Sequence, residues 1–151
     1  MPKGSRRLPE RCLELIGRAD AVIHAGDFSA ASVLAELEAR CPVVHAVHGN
    51  VDEEPLRRAL PAELEVAVGG RPVAVTHDAG PAKGRLARLR RRFPAAEAVV
   101  FGHSHLPLHE SEAGFQIFNP GSPTERRRAP RPSMGLLSAR KSGLVFEHVW
   151  L

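Results

Sequence analysis

Four short apolar runs in this chain each end on a polar residue able to bind a cation. Residues 21–25 lead to Asp27, residues 43–47 to Asn50, residues 73–76 to His77, and residues 99–101 to His103 and His105. In an open α/β sheet, ligands bind outside the carboxyl ends of the strands. Strands of one sheet running in one direction would bring all four sets to a common rim. Gly26, Gly49 and Gly102 precede three of the sets, and glycine permits tight turns and close backbone approach.

The intervening sequence supplies helices and a β-rich second half. Residues 9–18 carry Leu13 and Ile16 at helical spacing, and Pro9 suits a first turn. Ser29 is placed to cap a helix running to about Arg40, with Val33, Leu34 and Leu37 on one face. A short helix is expected over 53–60, closed by Pro61. Residues 64–68 alternate, Gly69-Gly70 turns, and 72–76 is apolar, which reads as a β-hairpin. Residues 82–93 read as a basic helix with Leu86 and Leu89 inward, followed by strands over 98–101, 115–118, 133–138 and 144–150. The Pro- and Arg-rich stretch 120–132 reads as an exposed, mobile loop. The expectation is one α/β domain over residues 1–151, more parallel in its first half and antiparallel in its second.

Composition narrows the function classes. Hydrophobic residues at 43% and charged residues at 25% are ordinary for a soluble globular protein. No apolar run approaches membrane-spanning length, and the basic N-terminus is not followed by the apolar stretch of a signal peptide. Cys12 and Cys41 form no CxxC pair and read as buried residues of a reducing cytosol, so a cytoplasmic location is expected. The net charge is +4, with arginines grouped at 88, 90, 91 and 92 and at 126, 127, 128 and 131. With no tyrosine and one tryptophan, a stacking platform for single-stranded nucleic acid is a poor match. The charge still leaves nucleic acid open as a partner, and self-association is compatible with the sequence. There is no P-loop and no Gly-x-Ser-x-Gly elbow.

The chemistry of the four strand ends is that of a cation site. A carboxylate can bridge two ions, imidazole suits Zn, Fe, Mn and Ni, and an amide oxygen adds a neutral ligand. Two such ions, about 3.5–4 Å apart, activate a water and stabilise the leaving oxygen of a phosphoryl transfer. Each Gly-Asp or Gly-Asn pair alone is an ordinary turn signal. Two imidazoles at alternate positions in Gly102-His103-Ser104-His105 are a stronger one. His24, His45, His48, His109 and His148 read as residues outside the site.

Taken with Asn119-Pro120-Gly121-Ser122, these motifs resemble the calcineurin-like metallophosphoesterase superfamily, and within it the small phosphodiesterases of the YfcE type. The resemblance implies a four-layer αββα sandwich of two mixed sheets. It implies metal ligation by Asp27, Asn50, His77, His103 and His105, with Asp27 bridging two ions and His105 serving the second. Asn50, His103 and Asp52 become the catalytic candidates, and Asn50 would also face the substrate phosphate. The implied activity is hydrolysis of small phosphate esters or nucleotides by a binuclear metal-activated hydroxide, with Mn favoured and Fe, Ni or Zn acceptable.

Two departures accompany the resemblance. The family's N-terminal strand and its Asp-x-His motif are absent ahead of Met1-Pro2-Lys3-Gly4. A misplaced start is the expected explanation, and a truly shortened chain is the other. In the chain as written the second ion keeps only Asp27 and His105, and two strand edges would lose their partner; a start further upstream would restore both. Val51 stands where many members have a proton-donating histidine, which removes the partner that Asp52 would orient. A non-catalytic scaffold, like the small retromer subunit of the same fold, is the alternative.

Overall fold

The alternating pattern folds into four helices and nine strands over residues 7–151, which the computed structural model describes. Met1-Pro2-Lys3-Gly4 lies outside the described residues. The first half contains α1 (Glu10–Ile16), β1 (Val22–His24), α2 (Ala31–Arg40), β2 (Val44–Ala46) and α3 (Glu54–Ala59). A hairpin follows, β3 (Glu63–Val68) and β4 (Arg71–Thr76), turning at Gly69-Gly70. Then come α4 (Arg85–Arg92), β5 (Ala98–Phe101), β6 (Leu108–Glu112), β7 (Phe115–Asn119), β8 (Ser133–Arg140) and β9 (Gly143–Trp150).

One sheet has five strands in the order β3-β4-β5-β7-β6. Its centre, β4, β5 and β7, is parallel, and its edges β3 and β6 are antiparallel. The central strands are apolar on both faces, as a parallel sheet covered on both sides requires. Ala74, Val99, Phe101 and Ile117 face Leu89 and Phe93 of the α4 region. Val73, Val75, Ala98 and Val100 face the other way, toward Leu144, Phe146, Ile23 and Ala25. A third core joins Cys12, Ile16, Val33, Leu37 and Leu56 of α1–α3 to Val22, Val44 and Met134. Three cores separated by two β layers make the αββα arrangement.

The second β layer is built from β1, β2, β8 and β9. Among the described residues it is two separate pairs, parallel β1–β2 and antiparallel β8–β9, with no ladder between them. The two pairs share side-chain packing in one core.

Differences from the expected elements have local causes. Ser29 does not cap α2. The helix starts at Ala31 without a side-chain cap, because Ser29 is left-handed (φ 73°) and gives its backbone N–H to Asp52. The additional strand β6 is a polar edge strand, half-buried only at Leu108, so it lacks the apolar alternation that marks strands in sequence. Segment 120–132 is tied down rather than loose. Ser122 is buried and its Oγ accepts from the backbone of Thr124 (3.4 Å) and Glu125 (3.1 Å), while Ser133 Oγ donates to Pro120 O (2.8 Å). No helix among the described residues is long and apolar enough to cross a membrane.

Leu89 is fully buried between α4 and the five-stranded sheet. Leu89→Ala is expected to lower stability by about 2–5 kcal/mol through lost burial and a residual cavity. Urea unfolding followed by circular dichroism measures this, and a loss below about 1 kcal/mol would contradict the packing described.

Candidate metal centre

The carboxyl ends of β1, β2, β4 and β5 meet in one place. Gly26 makes that meeting possible. Its φ is +88°, and a Cβ there would stand 2.7 Å from Gly49 N and 2.8 Å from His77 Nδ1, inside any tolerable contact. Gly49 is equally crowded, its Cβ position lying against the Asp27 carboxylate. The two glycines therefore let the turn after β1 touch both the turn after β2 and the first residue after β4.

Asp52 fixes the two turns to each other. Its buried carboxylate accepts from the backbone N–H of Gly49 (2.6 Å), Ser29 (2.8 Å) and Asp27 (3.1 Å). Asp52 is a catalytic candidate in sequence, and the structure places it beneath the site, where it shapes the backbone that carries Asp27 and Asn50. Asp27 in turn accepts the Val51 N–H on Oδ1 (3.1 Å) and turns Oδ2 toward His77 Nε2 (3.4 Å).

Four of the five metal-ligand candidates converge. His77 Nδ1 lies 2.7 Å from Ala25 O and donates to it, which leaves the Nε2 lone pair for the site. That Nε2 is 3.0 Å from Asn50 Oδ1 and 3.2 Å from His103 Nδ1, and His103 Nδ1 is 3.0 Å from the same Asn50 oxygen. Ligand-capable atoms of Asp27, His77 and His103 all fall within 4.8 Å of one another. The donor count explains why a cation fits. The His77 lone pair and the Asn50 carbonyl are both acceptors facing each other at 3.0 Å, and His103 Nδ1 has at most one proton to share between them. A divalent ion satisfies them together, and carboxylate, imidazole and amide form a suitable ligand set.

His105 is placed differently. It is buried outside that group, with Nδ1 3.3 Å from Glu125 Oε2. Burial, then the positive charge of Arg127, holds its imidazole below the ordinary value, opposed by Glu125 and Asp27. Three site residues, Asp27 (φ 64°), His103 (63°) and His105 (58°), are left-handed without being glycine, a conformation that concentrates at functional sites.

The turn carrying both histidines is braced by Asn119, at the end of β7. Asn119 is fully buried, its Nδ2 donates to Gly102 O (2.8 Å) and Ser104 Oγ (3.1 Å), and its Oδ1 accepts from Gly121 N (2.9 Å). Its sequence signal was Asn119-Pro120-Gly121-Ser122. Glu125 and the Ala25 carbonyl carried no such signal, because each meets its histidine only through the fold. His109 and His148 pack in another place, around Phe118.

The basic helix α4 spends its charge internally. Arg88 donates to Ala79 O (2.7 Å) and Pro81 O (2.6 Å), Arg85 to Gly80 O (3.1 Å) and Arg92 to Asp78 O (3.2 Å), so three guanidinium groups hold the segment that follows His77. Arg90 bonds the β6–β7 turn and lies over the Phe115 ring. These groups are anchors of the fold rather than an open basic surface.

Comparison with known proteins bears on the family and the fold. Residues 4–142 match the calcineurin-like phosphoesterase superfamily domain. A probable metallophosphoesterase of Methanothermobacter thermautotrophicus is 29% identical over 134 residues, covering 84% of this chain and 74% of that protein. Wild-type Vps29 of Entamoeba histolytica, solved as a Zn2+ complex, superimposes with a TM-score of 0.77 at 21% identity, covering 99% of this chain and 93% of the other. A novel archaeal phosphodiesterase superimposes with a TM-score of 0.73 at 20% identity, over 93% and 90% of the two chains. The two structural likenesses speak for the fold, and the sequence match over most of the chain for the family. This chain belongs to the calcineurin-like phosphoesterase superfamily.

Proposed function

We propose that this protein is a metal-dependent phosphodiesterase acting on small phosphate esters, nucleotides among them. The observation that carries the reading is the convergence of Asp27, Asn50, His77 and His103 at the strand ends. Asp27, His77 and His103 would hold the ion, with Asn50 shared between the ion and the substrate. Asp27 with His105 would serve a second ion. Manganese is the favoured metal, and this ligand set also accepts iron, nickel or zinc. When bound, such ions supply Lewis acidity toward the phosphoryl oxygens and acidify a water for in-line attack.

The protein's own residues set the geometry. His77 is kept in one tautomer by Ala25 O, Asp27 is aimed by the Val51 N–H, and Asn50 presents its amide at the mouth of the site, where it is exposed. Proton delivery to the leaving group is the weak step. Val51 is 39% exposed beside Asn50 and has no proton to give. His24 does not replace it. Its ring stacks on Phe28 (3.7 Å), its Nδ1 accepts from Gly26 N–H (3.2 Å), and burial pushes its pKa down from 6.5 to about 3. A general acid is typically worth about 10²–10⁴-fold, so substrates with good leaving groups are favoured.

A non-catalytic scaffold is the second reading, favoured by Val51 and by the position of His105 outside the converging group. Asp27→Asn separates the two. Asparagine tolerates the left-handed backbone and can still accept the Val51 N–H, but it lacks the charge. Metal affinity by calorimetry is expected to fall more than about 100-fold, beyond the cost of losing an outer partner. Mn2+-dependent hydrolysis of bis(p-nitrophenyl) phosphate should fall with it. Undiminished activity in the variant would contradict the catalytic reading, and a wild-type protein without metal or hydrolysis would favour the scaffold.

His24 gives a pH dependence. Its folded pKa lies below its unfolded value, so the unfolded chain binds more protons between about pH 6.5 and about pH 3, and stability falls as pH drops through that window. The urea midpoint of wild type should fall more between neutral pH and about pH 4 than that of His24→Gln, which carries no ionisable ring. Equal losses would contradict the buried, neutral state of His24.

A further inference from the structure

The loop between β7 and β8 brings a second kind of charge to the metal centre. Arg127 donates from Nη1 to the His103 carbonyl (3.1 Å). Among the described arginines it is the one whose hydrogen bond reaches the turn bearing the metal-ligand candidates. In α4, Arg85, Arg88 and Arg92 are committed to carbonyls of 78–83 and Arg90 to the β6–β7 turn, Arg126 donates to Ala129 O (3.3 Å), and Arg131 lies over Trp150. One amine of Arg127 is occupied, while the side chain as a whole is exposed at the mouth of the site. A guanidinium has five N–H donors in a rigid fork, so donors remain for an anion beside the ions.

The placement is built by the fold. Arg127 is left-handed (φ 46°) although it is not glycine, and it sits in a turn closed by Ala129 N–H to Arg126 O (2.7 Å). The turn is anchored through buried Ala129 and through Ser122, whose Oγ caps the backbone of Thr124 and Glu125. Two residues before Arg127, Glu125 stands against His105. The same short loop thus places an anion next to a histidine of the site and a cation next to the carbonyl of another.

We propose that Arg127 is a substrate-binding residue that grips a non-bridging oxygen of the phosphoryl group. This rests on the phosphoesterase reading and adds a residue to it. The fork geometry suits bidentate phosphate recognition, and lysine supplies only a point charge. Arg127 bonds the carbonyl of His103 and Asn50 lies against its ring, so the two would take different oxygens of one phosphoryl group.

The test compares wild type, Arg127→Ala and Arg127→Lys in Mn2+-loaded form, titrated with inorganic phosphate by calorimetry, alongside Mn2+ titrations of each metal-free protein. Arg127→Ala is expected to weaken phosphate binding at least tenfold with Mn2+ affinity within twofold of wild type, and Arg127→Lys should recover part of the loss. In turnover of a model diester, KM should rise by a similar factor with a smaller change in kcat. Unchanged phosphate affinity would overturn the proposal. So would a parallel fall in Mn2+ affinity, because Arg127 would then act by bracing the His103 turn. Phosphate binding that depends on Arg127 in a protein without hydrolytic activity would sink the catalytic reading and leave this assignment standing.

Discussion

The carboxylate of Asp52, buried and bound by three backbone N–H groups, ties together the two turns from which the site is made. Hydrogen bonds to a charged group contribute about 1.5–3 kcal/mol each, and here they act at the point where backbone crowding is greatest. Gly26 and Gly49 leave no room for a side chain, so the turns have little freedom to adjust. With the turns locked, Asp27 and Asn50 face His77, and the Ala25 carbonyl sets the tautomer of that histidine. The strained backbone at Asp27, His103 and His105 persists because this framework holds it.

The layers around the site explain its rigidity. The strands leading to His77 and His103 are interior strands of the five-stranded sheet, with a core on either face. The other half of the site rests on short strands β1 and β2, whose sheet is interrupted among the described residues. The firm half and the interrupted half meet at the glycine contacts and through the His77–Ala25 hydrogen bond. A site of this design depends on order in the second layer as much as on its ligands.

Sequence carried the four strand ends because the signal is local. An apolar run followed by glycine and a polar residue needs no knowledge of the rest of the chain, and Asp27, Asn50, His77 and His103 came together as their spacing implied. What was hidden depends on tertiary contact. Asp52 looked like a partner for a side chain, and its partners are backbone N–H groups of Asp27, Ser29 and Gly49. The basic helix α4 read as a cluster of arginines, but Arg85, Arg88 and Arg92 reach back to carbonyls of 78–83 and Arg90 to the β6–β7 turn. Strand β6 was silent because an exposed edge strand has no core to write a pattern. The Arg127 contact was hidden inside a run of three arginines that sequence cannot rank.

The central claim is that the converging side chains are a metal centre. Anomalous diffraction from crystals of the protein soaked in zinc tests it most directly. The expected result is a peak bonded to the Asp27 carboxylate and to the His77 and His103 rings, at about 2.0–2.2 Å from each ligand atom. A peak held by other residues, or no peak among these three in protein that diffracts well, would contradict the account.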